Sequence, residues 1–174
     1  NKIKVTLLEG VGVLKLNTTD VTLNQEVTSA DIVNLNYTSS LNGNGSAYTT
    51  FGFQVYDGTD WSTPSYTMTI NVTGVNDQPV AGNATYSINE NGTWSGAHTY
   101  DQATDVDAGT TFIYTLADSS VFGINQSSGL VTLKGSLDFE TTTSYTLTVT
   151  ASDGALSNDA SITVNVTNVN ETPV

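Results

Sequence analysis

Residues 145–152 read Tyr-Thr-Leu-Thr-Val-Thr-Ala-Ser, with Tyr145, Leu147, Val149 and Ala151 on one side of an alternation and Thr146, Thr148, Thr150 and Ser152 on the other. An extended chain sends successive side chains to opposite faces, so the pattern is that of a strand with one face in a core and one in water. The same period recurs along the chain. Tyr66, Met68, Ile70 and Val72 alternate with Thr67, Thr69, Asn71 and Thr73; Phe51, Phe53 and Val55 with Gly52, Gln54 and Tyr56; Ile162, Val164 and Val166 with Thr163, Asn165 and Thr167. Asn42-Gly43, Asn44-Gly45, Asp57-Gly58, Asn91-Gly92 and Asp153-Gly154 punctuate these runs at short intervals, as tight turns do. No stretch keeps a 3.6-residue period, and an all-β sandwich is the expectation.

The chain also repeats itself. VYDGTDWSTPSYTMTINVTGVNDQP, ending at Pro79, matches ASDGALSNDASITVNVTNVNETP, ending at Pro173. Asp57 and Asp153 are 96 positions apart, and Asn76 and Asn170 are 94 apart, about the length of one Ig-like sandwich. Asn42 precedes Asp57 by the same 15 residues by which Asp138 precedes Asp153. Two homologous sandwich domains in tandem follow, residues 1–76 and 77–174, joined near Gly74–Pro79. Asn1–Leu7 corresponds to the stretch around Phe112–Leu116, so the first copy is expected to lack its N-terminal strand region. Asn1-Lys2-Ile3-Lys4 carries no apolar leader, and Pro173-Val174 stands where a further repeat would begin, so a piece of a longer array is expected.

Composition narrows the function. Four lysines and no arginine face seventeen acids, a formal charge of -13, although only 12% of the 174 residues are charged. Binding to nucleic acid or to an anionic membrane needs clustered basic residues, which are missing. No run of about 20 apolar residues is long enough to span a membrane. With no cysteine, neither disulfides nor thiolate metal sites hold the fold.

The acids fall in short clusters: Glu90 in INEN, Asp105 and Asp107 in ATDVDAG, Asp138 and Glu140 in LDFE, Asp153 in ASDG, Glu171 in VNETP. Carboxylates crowded together without cations nearby raise one another's pKa unless an ion sits among them. Oxygen ligands without a histidine or cysteine cluster select Ca²⁺ over transition metals. On an extended strand, Asp105 and Asp107 would project to one side, about 7 Å apart at Cα.

At these residues the second copy resembles a cadherin repeat, from INEN through ATDVDAG, LDFE and YTLTVTASDG to VTNVNETP. The first copy, through GVGVLKL, LNGNG, FGFQVYDG and INVTGVNDQP, resembles the cadherin-like, Ig-type tandem repeats of very large bacterial surface adhesins. The resemblance implies Greek-key sandwiches with Ca²⁺ between consecutive domains. It assigns Asn76, Asp77, Asp105, Asp107 and Asp153 to the internal junction. Glu90, Asp138, Glu140, Asn168, Asn170 and Glu171 are assigned to the far end of the second copy, and Asp57, with Asp60 beside it, to the far end of the first. Asn42 and Asn44 stand where the family has the two acids of LDxE, so one ion rather than three is expected at the internal junction.

Other readings stay open at this point. Asp57 and Asp153, each followed by Gly, also fit turn residues. Glu9, beside Gly10, and Asp101 read first as solvated acids, with a ligand role as the other reading of each, and the lone His98 lacks a nucleophile or second histidine beside it, which argues against catalysis. Trp61 and Trp94 would suit a sugar platform, which makes a carbohydrate-binding module one alternative. A filament subunit completed by a neighbour's strand is another. The leading expectation is a calcium-stiffened extender of a bacterial cell-surface or secreted adhesin. Its partners would be neighbouring repeats, a second copy or a surface glycan.

Overall fold

The computed structural model describes residues 1–92, 94, 103–117 and 120–172; His98 and Asp101 lie outside them. The chain divides into two compact units, Asn1–Val75 and Asn76–Val174.

In the first unit β1 (Lys2–Leu7), β2 (Val13–Leu16), β3 (Thr19–Asp20), β4 (Glu26–Thr28), β5 (Leu35–Thr38), β6 (Gly45–Tyr56) and β7 (Tyr66–Val72) build two sheets. One has the order β4-β1-β6-β7 and the other β3-β2-β5. Their facing sides bury Val5, Leu14, Val21 and Phe51, with Leu16, Leu35, Tyr37, Phe53 and Ile70 packed against them. The alternation read in Phe51, Phe53 and Val55 lapses at its end: Phe51 is buried, but Val55 lies in the surface. A single 3₁₀ turn, Ile32–Asn34, is the helical element of this unit.

In the second unit β8 (Ala84–Asn89), β9 (Ile113–Leu116), β10 (Phe122–Ile124), β11 (Val131–Leu133), β12 (Ser144–Ser152) and β13 (Ser157–Thr167) follow. The main sheet has the order β8-β13-β12-β9, faced by the β10-β11 hairpin. Phe122, Val131, Val149, Ile162 and Val164 are fully buried between the layers, each contributing roughly 1.5–3 kcal/mol by leaving water. β12 and β13 pair antiparallel along their whole overlap, whereas β8 joins β13 in parallel from Ala84↔Ile162 to Asn89↔Thr167.

The two main sheets share a frame. β1 pairs with β6 so that Lys2 faces Tyr56, and β9 pairs with β12 so that Ile113 faces Ser152. This is the correspondence of Asn1–Leu7 with Phe112–Leu116 that the repeat implies. At the ends of β6 and β12 the same turn recurs. Asp57 Oδ1 accepts the N–H groups of Thr59 and Asp60 at 2.8 and 2.9 Å, and Asp153 Oδ1 those of Ala155 and Leu156 at 2.6 and 2.7 Å. The glycine after each acid sits at φ 115° and 98°, a region L-residues with a Cβ rarely enter. The turn reading of both acids therefore holds in the fold.

Candidate metal centre

The topology of the second unit gathers acids at both ends of its main sheet. β8 and β13 run parallel, so Glu90 after one and Asn168–Glu171 after the other emerge side by side. β12 runs the opposite way, which brings the LDFE loop just before it to this same end. There one carboxylate oxygen each of Glu90, Asp138 and Glu140 lies within 4.8 Å of the others.

Glu90 is the hub and is only 2% exposed. Its Oε2 accepts the Phe139 N–H at 2.7 Å and its Oε1 the Val169 N–H at 2.8 Å, while its own N–H donates to Thr167 O at 3.0 Å. These donors, Phe139 first and Val169 second, pull the Glu90 carboxyl below its ordinary value, against the opposing effects of burial and of the Asp138 charge. Mutual repulsion alone predicts a raised pKa, but backbone dipoles aimed at the carboxylate outweigh it. Around the hub, Asn168 Nδ2 donates to Glu140 Oε1 at 2.9 Å, and Asn91 Nδ2 to Glu171 Oε1 at 2.7 Å. Asp138 accepts from Thr141 through N–H and Oγ1 at 3.0 and 2.9 Å. Asn170 is exposed beside them. Asn91 is a member that reasoning from charge passed over; its signal was its position directly after Glu90.

At the opposite end, Asn76 Nδ2 donates to Asp153 Oδ2 at 2.8 Å, the Asp77 N–H to Asp107 Oδ2 at 2.8 Å, and the Asp107 N–H to Asp105 Oδ1 at 2.8 Å. All five expected residues thus meet within the second unit. Their backbone differs from the expectation: Asp105–Asp107 is a bend, not an extended strand. The Asp105 side chain captures the amide two residues on, the usual competitor of a strand at Asp. Hydrogen bonds from Leu156, then Asn76 and Ala155, hold the Asp153 carboxyl below its ordinary value. Asp105 Oδ2 is shielded from water with no donor reaching it, the kind of orphan that a cation would satisfy.

In the first unit Asp57 stands in its turn, and its carboxyl is lowered by the Asp60 and then the Thr59 N–H. Glu9 is not a freely solvated acid: its Oε1 accepts the Leu14 N–H at 2.8 Å, and its Oε2 is shielded without a partner.

The donor set fits a hard cation. All candidate ligand atoms are oxygens, and the second unit holds eleven acids against one lysine, Lys134, a formal charge of -10. The ion pairs among the described residues, Lys2–Glu26 and Lys15–Asp20, leave these acids unpaired with base. Calcium takes six to eight such oxygens in flexible geometry. Among the described residues, Glu90, Asp138 and Glu140 are the acids placed closely enough to hold one ion together.

The tryptophans lie elsewhere. Trp94 Nε1–H donates to Val131 O at 2.9 Å, and its ring meets Tyr86 and Phe122 edge-on at 6.1 and 5.6 Å. Trp61 meets Tyr56 at a tilt of 44° with ring centres 5.1 Å apart, and Lys4 and Lys2 Nζ lie 4.5 and 5.5 Å from its ring centre. Neither is presented as an open platform.

The sequence model of the cadherin domain matches residues 60–167, more than half of the chain. The human cadherin EGF LAG seven-pass G-type receptor 1 is 34% identical over 129 residues, which is 69% of this chain and 4% of that protein. The protocadherin-like wing polarity protein stan of Drosophila melanogaster is 35% identical over 121 residues, 60% of this chain and 3% of that protein. The chain therefore spans a few per cent of the curated relatives it matches. Among solved structures, mouse cadherin-23 EC22-24 superposes with a TM-score of 0.56 at 23% identity, covering 96% of this chain and 53% of that one, a likeness of fold. The chain belongs to the cadherin domain family, whose members are extracellular adhesion modules and not enzymes.

Proposed function

We propose that the two units are consecutive cadherin-type domains of a surface adhesin, an extender that binds Ca²⁺ through the acidic ends of its repeats and is stiffened by it. The observation that carries this reading is the triad of Glu90, Asp138 and Glu140, with oxygens within 4.8 Å and no lysine partner among the described residues. Without an ion the carboxylates at each end repel, and the segment Gly74–Pro79 is free to bend. When bound, the cation neutralises them and ties ligand loops from separate parts of the chain, so binding free energy becomes order. Placement on a bacterial cell rests on the resemblance of the first copy; the relatives named above are animal proteins.

Calcium titration by calorimetry, paired with small-angle scattering in calcium and in chelator, tests the proposal. Saturable binding with a narrower spread of shapes in calcium is expected, and Asp105→Ala or Asp107→Ala should weaken both. Identical scattering profiles in the two buffers would sink it.

A further inference from the structure

Three Asn-Gly pairs occur in the chain, at Asn42-Gly43, Asn44-Gly45 and Asn91-Gly92. In such a pair the glycine nitrogen can reach the side-chain carbonyl carbon of the asparagine, because no Cβ obstructs it and glycine turns freely. The fold sets the three apart. The Gly92 N–H donates to Asn89 O at 3.1 Å and the Asn91 amide donates to Glu171 Oε1 at 2.7 Å, so both reacting groups are held. The Gly43 N–H donates to Ser40 O at 2.9 Å, closing the turn in which Asn42 sits at φ 57°.

Asn44-Gly45 is placed differently. Asn44 is exposed, and its Nδ2 donates to Asn42 O at 3.2 Å, the long end of the normal range. Gly45 opens β6 at φ 140°, and an irregularity between Gly45 and Thr49 separates it from the regular β6-β7 ladder. Open space lies where its Cβ would stand. Gly74 packs beside the amide: a Cβ there would stand 3.2 Å from Asn44 Cγ, so its absence leaves that carbon open to attack.

We propose that Asn44 is a site of deamidation, a change that gives the first unit a carboxylate its sequence lacks. The Gly45 nitrogen gives its proton to water and bonds to Asn44 Cγ; the Cγ–Nδ2 bond breaks and Nδ2 leaves as ammonia. Water then opens the cyclic succinimide at either carbonyl. The product is aspartate or, with the main chain rerouted through the side-chain carbon, isoaspartate. No oxidant or reductant takes part. The internal repeat gives the position its significance, since Asn44 lies 13 residues before Asp57 as Glu140 lies 13 before Asp153. The loop thus acquires by ageing the acid that the second unit encodes. The first unit, with six acids and three lysines, passes from a formal charge of -3 to -4. The reaction is independent of the calcium reading.

The test is a time course of the full chain in mildly alkaline buffer with chelator, read by peptide mass mapping and by the acidic shift of the isoelectric point. Each rate is taken relative to that of the same pair in concentrated urea, which removes the effect of sequence. The relative rate at Asn44 should exceed that at Asn91 by about tenfold, the factor that the hydrogen bonds holding Asn91 and Gly92 impose. Gly74→Ala should slow Asn44 severalfold and leave Asn42 unchanged. Asn44→Gln should remove the first acidic step, since the longer side chain does not close the same ring. A relative rate at Asn44 no higher than at Asn91 overturns the proposal. So does conversion that is fastest at Asn42, or a Gly74→Ala chain in which Asn44 converts at the wild-type rate.

Discussion

The Phe139 amide donates to Glu90 Oε2 at 2.7 Å, so the loop bearing Asp138 and Glu140 is tied to the end of β8 by the carboxylate it surrounds. One side chain thus shapes the loop and, in the proposed site, would also be a ligand, so its removal should be felt with and without metal. Glu90→Ala leaves the Phe139 and Val169 amides without their acceptors, and a buried unpaired donor is costly. In chelator the melting temperature of this variant should fall by about 5 °C or more, measured by calorimetry. An unchanged transition would show that the loop holds itself.

Asp138 separates the two roles. Among the described residues its carboxylate oxygens accept from Thr141 of the same loop, and asparagine keeps one of these acceptors. Asp138→Asn should therefore leave the unfolding transition in chelator nearly unmoved while weakening calcium binding by about tenfold, since ligand charge sets affinity at such sites. Calorimetric titration checks this; wild-type affinity in the variant would remove Asp138 from the ligand set.

The equivalent strands β7 and β13 make opposite demands on a core substitution. Ile162→Ala opens a cavity between packed layers and should cost about 2–5 kcal/mol. Met68→Ala, at the matching place on β7, where it is exposed, should change stability by no more than about 0.5 kcal/mol. Urea unfolding of the two variants gives the comparison directly, and equal losses would mean that Met68 is covered in solution.

Tyr37 is expected to make the stability of the fold decline at alkaline pH. Its hydroxyl donates to Val11 O at 2.6 Å, and burial, with Tyr48 and Glu9 nearby, pushes its pKa above the ordinary 10.0. The neutral phenol is the form the fold favours, so its stabilising contribution is complete below pH 10 and is lost as pH rises through the higher folded value. The gap in stability between wild type and Tyr37→Phe should narrow as pH rises through that range. A gap that does not change with pH would remove Tyr37 from the pH dependence.

The long strands were legible because their signal is local. Alternation located β7 and β12 nearly residue for residue and the C-terminal half of β13, whose first five residues, Ser157–Ser161, it missed, and the repeat aligned β1 with β9. The short strands β3, β4, β10 and β11 were not, since two or three residues cannot display a period and their pairing is set by distant partners. The acidic cluster was legible as a list of acids and not as a geometry. Nothing local marks Glu90 as the buried hub, because its donors come from 49 and 79 positions away. Asp105–Asp107 went the other way: the spacing suggested a strand, and the aspartate's preference for its own backbone made a turn. Trp94, beside a turn in sequence, is drawn against Phe122 by contacts that no nearby residue announces.

The parallel pairing of β8 with β13 has a mechanical side. A pull applied at the N-terminal end of β8 and the C-terminal end of β13 acts along the strands in opposite directions, and the two run side by side for six residue pairs. Such a load shears the whole ladder at once and does not peel it open bond by bond. The second unit therefore meets tension applied at these two ends with a ladder loaded in shear.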